Sequence, residues 1–154
     1  MTNLNRIVIM GSPGTGKSTL AYKIAQQTKL PLYHMDALFW QGTQNVSDDV
    51  LLERLDTILQ KEQWIIDGNY KDTLELRVAK ADLVIWMKAP RWKCVLRVIY
   101  RYLKGKRLKG PGANPDILEP SFIQHIWRFP EKSFPEMNRI YETYKAQCRW
   151  MIIE

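Results

Sequence analysis

A glycine-rich stretch near the N-terminus constrains the fold more than any other part of this chain. It reads Gly11-Ser12-Pro13-Gly14-Thr15-Gly16-Lys17-Ser18 and fits the P-loop pattern G-x-x-x-x-G-K-[ST] at every fixed position. The run 6–10 before it is short, apolar and β-branched, as expected of a buried parallel strand, and helical spacing follows to about Thr28. A strand, a glycine loop and a helix in this order predict a site for a nucleoside triphosphate.

Each part of this loop has an expected task. The backbone N–H groups should converge on phosphate oxygens, and the helix N-terminus adds partial positive charge. Lys17 is expected to neutralise the β- and γ-phosphates of ATP, and the Ser18 hydroxyl to bind Mg²⁺. The expected nucleotide-contacting residues are Gly11, Gly14, Thr15, Gly16, Lys17, Ser18 and Thr19. The competing interpretation is a glycine turn with a solvated lysine and a capping serine.

Segments typical of strands and helices alternate along the rest of the chain. Strands are predicted at 6–10, 30–34, 64–66, 83–87 and 150–153, and helices at about 20–28, 47–61, 74–79, 90–104, 122–129 and 134–148. This alternation favours an α/β fold in which helices cover both faces of a parallel sheet. The stretches 42–45 and 105–120 are predicted to be loops. With 154 residues, the chain has room for a single domain of this kind.

The composition favours a soluble, cytoplasmic protein. No apolar run approaches the ~20 residues of a membrane span, and no secretory segment precedes the first strand. The two cysteines, Cys94 and Cys148, lie far apart and have neither metal-site nor redox spacing. We expect both to be reduced thiols in the core.

Two aspartates follow predicted strands, and ligands of parallel α/β sheets bind at the carboxyl ends of strands. Asp67 follows the apolar run 64–66 and is expected to serve the Mg²⁺ ion, directly or through water. Asp36 is expected to end the second strand, where its carboxylate could accept the hydroxyl proton of a phosphoryl acceptor or orient that hydroxyl. The alternatives are a turn-capping aspartate for Asp67 and a surface loop aspartate for Asp36.

Positive charge is concentrated in one segment. Nine basic residues and no acidic one lie between Leu83 and Pro115, whereas elsewhere 16 acidic residues outnumber the basic ones. The predicted helix 90–104 carries a narrow basic stripe on an otherwise apolar, mostly buried surface and leads into the Gly/Pro-rich loop 105–120. We interpret the stripe as a phosphate clamp and the loop as a lid that excludes water. A solvated stripe or a surface for nucleic-acid phosphates are the alternatives.

Several blocks of the sequence resemble a known family. They are the P-loop, HMDALFW at 34–40, WIIDGNY at 64–70, ADLVIWMKAPRW at 81–92 and FIQHIWRF at 122–129. From about Arg6 to Glu154, the chain resembles the FlaR-type DNA topology modulation proteins, which are similar in turn to adenylate kinases. This resemblance implies a three-layer P-loop NTPase fold, a five-stranded parallel sheet of order 2-3-1-4-5 and a lid after strand four. Members of the family usually continue past the fifth strand.

The resemblance also implies roles for two arginines. Arg97 and Arg101 resemble the pair at the lid entrance of adenylate kinases, the first stacking on adenine and the second contacting phosphates. Asp67-Gly68 resembles the start of the D-G-F-P-R block of that group, but Asn69-Tyr70 stands where the block has Phe-Pro. The arginine that grips a nucleoside monophosphate is therefore not evident, and the acceptor stays open.

Taken together, the sequence predicts an ATP- and Mg²⁺-dependent kinase acting on a small acceptor. Lys17, Asp36 and Arg101 are the expected catalytic residues, with Ser18 and Asp67 serving the metal and Arg97 the nucleotide. The first alternative is a nucleic-acid-associated ATP-binding protein, which the family name suggests and the net charge of +7 permits. The second is a nucleotide-binding protein without turnover.

Overall fold

The computed structural model describes residues 4–41, 44–104 and 120–154. In these ranges the strands are β1 (Arg6–Gly11), β2 (Leu32–His34), β3 (Trp40–Gln41), β4 (Gln44–Asn45), β5 (Trp64–Asp67), β6 (Leu83–Met87) and β7 (Arg149–Ile153). The helices are α1 (Lys17–Thr28), α2 (Met35–Phe39), α3 (Asp48–Leu59), α4 (Lys71–Ala79), α5 (Arg91–Lys104) and α6 (Pro120–Tyr144). The predicted lid, 105–120, lies outside the described residues except for Pro120.

Five strands form one parallel sheet in the order β2-β5-β1-β6-β7. This is the predicted order 2-3-1-4-5 once β3 and β4 are left out of the count, because these two short strands form a separate antiparallel pair. The sequence gives no apolar run for that pair, so the prediction of a loop over 42–45 missed it. The α/β class with an all-parallel sheet is confirmed.

The apolar side chains of β1 point alternately to the two faces of the sheet. Val8 and Met10 pack in a cluster with residues of α3, α4 and α6, whereas Ile7 and Ile9 pack with Ala21 of α1. Because both faces are covered, the central strands are apolar at nearly every position and can be recognised from sequence. The predicted limits of the fourth strand, 83–87, are those of β6.

Helix α6 corrects one prediction. Two helices were expected at 122–129 and 134–148, but α6 is one helix that runs through Pro130 and Pro135. Each proline removes a backbone donor and costs the helix about 3 kcal/mol. The buried face nevertheless continues across them, from Ile126 and Phe129 to Met137 and Ile140. Burial of this face therefore offsets the breaks that the prolines predict.

Helix α5 corrects a second prediction. A mostly buried helix was expected, but Cys94 is its only buried residue, and Trp92, Leu96, Tyr100 and Leu103 are all exposed. The sequence pattern of an amphipathic helix does not show whether another element packs against its apolar face.

Cys94 and the half-buried Cys148 are both free thiols. Among the helices in the described ranges, none is long and apolar enough to cross a membrane.

Candidate active site

The P-loop connects the carboxyl end of β1 to the first turn of α1. Gly11 ends the strand, Gly16 immediately precedes the helix, and Lys17 is the first helical residue. Gly14 has a φ of 83°, and a Cβ atom there would lie 2.6 Å from the carbonyl oxygen of Cys94. Only glycine satisfies both constraints, so α5 packs directly against the loop.

Side chains inside the loop brace its backbone. Thr15 Oγ1 donates to the Ser12 carbonyl over 2.8 Å, and Lys17 Nζ donates to the same carbonyl over 3.1 Å. Ser18 is half-buried and Thr19 exposed in the first turn of α1. The amino end of this helix thus carries the lysine and the two hydroxyls that the sequence predicts for phosphates and metal.

Lys17 shares its surroundings with both predicted carboxylates. Burial lowers the pKa of Lys17, while the charges of Asp67 and Asp36 raise it. The charge of Arg101 acts in the lowering direction, so this arginine of α5 lies within electrostatic range of the lysine. The fold therefore places the three residues predicted to be catalytic, Lys17, Asp36 and Arg101, and the predicted metal residue Asp67 close enough for their charges to interact.

Asp67 ends β5 as predicted and is 4% exposed. Its strand lies between β1 and β2, so it pairs in register with Ile9 on one side and His34 on the other. His34 Nδ1 lies 2.9 Å from Asp67 Oδ2, and this hydrogen bond raises the pKa of His34. The sequence assigned His34 no role, although it lies in the HMDALFW block.

Asp36 lies in a different element from the one predicted, but at the predicted edge of the sheet. It was expected to end the second strand, but β2 ends at His34 and Asp36 lies in the first turn of α2. Tyr70 donates its hydroxyl to Asp36 Oδ1 over 2.8 Å, and the ring of Phe39 packs 5.2 Å from the Tyr70 ring. Burial raises the pKa of Asp36, which makes its carboxylate a stronger base.

The segment after β5 is tied to the P-loop. The backbone N–H of Gly11 donates to Asn69 Oδ1 over 3.1 Å, and that of Gly68 donates to the Ile9 carbonyl over 3.1 Å. Asn69 and Tyr70 were missed as site residues because their partners are remote in sequence. The specific block DGNY at 67–70 is the signal that could have indicated them.

Arg97 approaches the P-loop from α5. Its Nη1 atom lies 3.5 Å from the carbonyl oxygens of Gly14 and Thr15, and the residue is otherwise exposed. Of the two predicted arginines of α5, Arg97 therefore lies at the backbone of the loop, and Arg101 acts on Lys17 through its charge. Their predicted contacts with adenine and phosphate remain predictions.

The oxygen atoms at this edge of the sheet suit a hard cation. Among the described residues, no group of three or more His, Cys, Asp or Glu side chains is arranged to hold a metal ion. Mg²⁺ in nucleotide sites needs fewer protein ligands, because it keeps waters and binds the phosphates. The Ser18 hydroxyl and the Asp67 carboxylate fit such an ion, and His34 bonds only one oxygen of that carboxylate.

Comparison with known proteins identifies the fold. A family model described as "ATPase family associated with various cellular activities (AAA)" matches residues 7–66, which include the P-loop and most of β5. The crystal structure of a gluconokinase from Sinorhizobium meliloti 1021 matches with a TM-score of 0.55 and 18% identity, covering 96% of this chain and 81% of that chain. This chain has the P-loop NTPase fold. No curated protein gives a significant match.

The P-loop NTPase fold accounts for the position of the candidate site. The AAA match spans less than half of the chain, and the gluconokinase likeness concerns the fold. Neither match is with the FlaR-type family, so that resemblance stays a prediction. Within the fold, the predicted residues gather where β1, β5 and α1 meet.

Proposed function

We propose that this protein is an ATP-dependent kinase that transfers the γ-phosphoryl group to a hydroxyl of a small acceptor. One observation carries the proposal: the turn that begins with Asp67 binds the start of the P-loop through Asn69 and binds Asp36 through Tyr70. The P-loop with its lysine and the two carboxylates are thus held together at one edge of the sheet. P-loop kinases need such an arrangement, since positioning and charge stabilisation supply most of their catalysis.

The P-loop and α5 would form the donor side. Backbone N–H groups of residues 14–16 and the Lys17 ammonium would bind the β- and γ-phosphates. Arg101 would add positive charge as the phosphoryl group moves, and Arg97 would contact the nucleotide beside Gly14. Lys17 now donates to the Ser12 carbonyl, so phosphate oxygens would replace that bond.

Ser18 and Asp67 would serve Mg²⁺. The ion, when bound with ATP, would neutralise charge on the β- and γ-phosphate oxygens. His34 would hold the Asp67 carboxylate in one orientation through Oδ2.

Asp36 would form the acceptor side. Its carboxylate would accept the proton of the attacking hydroxyl as that oxygen bonds to the γ-phosphorus and the bond to the leaving ADP oxygen breaks. Tyr70 donates to Oδ1, and this bond fixes the carboxylate while leaving its other oxygen to meet the hydroxyl. The raised pKa of Asp36 favours this role at neutral pH.

A second candidate function has support from α5. This helix is exposed rather than buried, and Lys93 and Lys104 both lie on its exposed surface. Such a surface suits the backbone of a nucleic acid, bound with release of counterions. The protein would then bind ATP and nucleic acid together.

An acceptor screen with Mg-ATP tests the kinase proposal. Sugar acids and sugars head the panel because the structural neighbour is a gluconokinase; polyols, nucleosides and nucleoside monophosphates follow. We expect one class to raise ADP production above background hydrolysis, with a phosphorylated product visible by ³¹P NMR. Asp36→Asn should remove that increase. ADP production that no acceptor class changes would contradict the proposal.

A further inference from the structure

Arg77 is a fully buried cation that the proposed chemistry does not use. It lies on α4 and is 0% exposed. Its Nη1 atom donates to the Gly68 carbonyl over 2.8 Å, and its Nη2 atom donates to the carbonyls of Asn69 and, over 3.3 Å, of Tyr70. One guanidinium therefore binds three successive carbonyl groups of the segment between β5 and α4.

Burying a charged guanidinium is energetically unfavourable, so a residue that only filled space would not be expected to be an arginine. Burial lowers the pKa of Arg77 to about 9, against the charge of Asp67, which raises it. Among the described residues no carboxylate lies within ion-pair distance of the guanidinium, and its Nε atom has no hydrogen-bond partner. An apolar side chain of similar volume would avoid the cost of burying a charge.

The segment that Arg77 binds has an unusual backbone. Gly68 has a φ of 124° and Tyr70 a φ of 32°. A left-handed conformation is unfavourable for tyrosine and persists only where surrounding contacts hold it. The three carbonyl contacts of Arg77 help to hold this segment, and the Tyr70 carbonyl also accepts from the backbone N–H and the hydroxyl of Thr73.

Three side chains of the same segment reach the candidate site. Asp67 bonds His34, Asn69 accepts from the Gly11 amide at the start of the P-loop, and Tyr70 donates to Asp36. The metal, donor and acceptor sides thus depend on one turn, 67–70. A shift of that turn would move all three together.

We propose that Arg77 is a positioning residue that fixes the turn 67–70 and thereby couples the P-loop to the acceptor side of the site. It contacts neither phosphate nor acceptor and acts through Asn69 and Tyr70. A guanidinium is required because a single ammonium cannot reach three carbonyls in one geometry. Only the kinetic consequence of this proposal rests on the proposed kinase function.

The test compares Arg77→Lys with Val78→Ala in the nucleotide-free protein. Val78 is the next residue of α4, is 1% exposed and has no polar side-chain atom that could bind the carbonyl groups of the turn, so its truncation reports general loss of stability. We expect Arg77→Lys to shift the Gly11 amide NMR signal and to speed its hydrogen exchange by about tenfold, the effect of losing roughly one hydrogen bond. Val78→Ala should lower Tm and leave that signal in place.

A double variant separates positioning from packing. In an Asn69→Ala background the Gly11 bond is already absent, so Arg77→Lys should have no further effect on the Gly11 signal. Should Arg77→Lys fail to unfold cooperatively, Arg77→Gln takes its place. Equal Gly11 signals in the Arg77 and Val78 variants, or a full effect of Arg77→Lys without Asn69, would overturn the proposal. With Mg-ATP and an acceptor, Arg77→Lys should lower kcat by a larger factor than it changes the KM for ATP. If the NMR effects occur but no acceptor is phosphorylated, only the kinase proposal fails.

Discussion

At the scale of single residues, the charges of Asp36 and Asp67 both act on Lys17, but the two carboxylates have different hydrogen-bond partners. Asp67 is bonded by His34 and lies beside β1, which leads into the P-loop. Asp36 is bonded by Tyr70 and has its pKa raised by burial. These surroundings suit a metal-serving carboxylate and an acceptor-serving base, respectively.

The two carboxylates should therefore respond differently to substitution. Asp67→Asn should weaken the dependence on Mg²⁺ and slow both acceptor phosphorylation and background ATP hydrolysis. Asp36→Asn should leave Mg-ATP affinity and background hydrolysis nearly unchanged, while transfer to the acceptor falls by roughly 10²–10⁴-fold, the usual contribution of a general base. ATP titrations and hydrolysis assays measure the first effects without knowledge of the acceptor.

Asp72→Asn is the matched control, since Asp72 is an exposed aspartate in the first turn of α4. It should behave as the native protein in every assay. A loss of Mg-ATP binding in Asp36→Asn as large as in Asp67→Asn would show that Asp36 belongs to the metal side.

Sequence alone could indicate some of these residues but not others. Lys17 and Asp67 were predicted because each lies directly after an apolar strand or a glycine loop, where local pattern determines position. His34, Asn69 and Tyr70 act through partners that are 33, 58 and 34 positions away. No local pattern carries that information, because strand order and register create these contacts.

At the scale of elements, the sheet was more predictable than the helices. The strands of the parallel sheet are short, mostly apolar runs, and their limits differ from the predicted ones by two residues or fewer. Helix α6 was divided wrongly at residues 130–133, which begin with Pro130. Packing of the buried face, which is a tertiary effect, carries the helix across them. The exposure of α5 was missed because an amphipathic sequence pattern does not show whether another element covers the apolar face of the helix.

DNA binding by the exposed basic side chains of α5 distinguishes the two candidate functions. For the kinase, duplex DNA should bind weakly at about 150 mM salt, and ATP should compete with any binding near Arg97. Backbone binding would instead show a log–log salt slope of about −0.9 per phosphate neutralised. Fluorescence anisotropy with labelled duplex measures both the affinity and the slope.

Variants of α5 supply the control for that measurement. Lys93→Ala and Lys104→Ala change exposed residues of the helix, and Lys29→Ala changes an exposed lysine elsewhere. Tight, ATP-independent DNA binding that only the α5 variants weaken would favour the nucleic-acid function over the kinase.

At the scale of the whole molecule, topology explains why the site lies where it does. After β1 the chain passes to β2 and β5 on one side of the sheet and then to β6 and β7 on the other. Ligands of parallel α/β sheets bind beside the strand where this direction reverses. The P-loop follows β1, so Lys17 lies at that point, and α2 and the turn after β5 bring the carboxylates to it.

Thermal unfolding with and without Mg-ATP tests the central claim most directly. A ligand at about 100 times its Kd stabilises the folded protein by about 2.7 kcal/mol, which for a chain of this size raises Tm by roughly 5–10 °C. We expect this shift for the native protein and for Lys23→Ala, which changes an exposed lysine of α1. Lys17→Ala should lose most of it, because the cation opposite the β- and γ-phosphates is removed. No shift in the native protein, or an equal shift in Lys17→Ala, would contradict ATP binding at the P-loop.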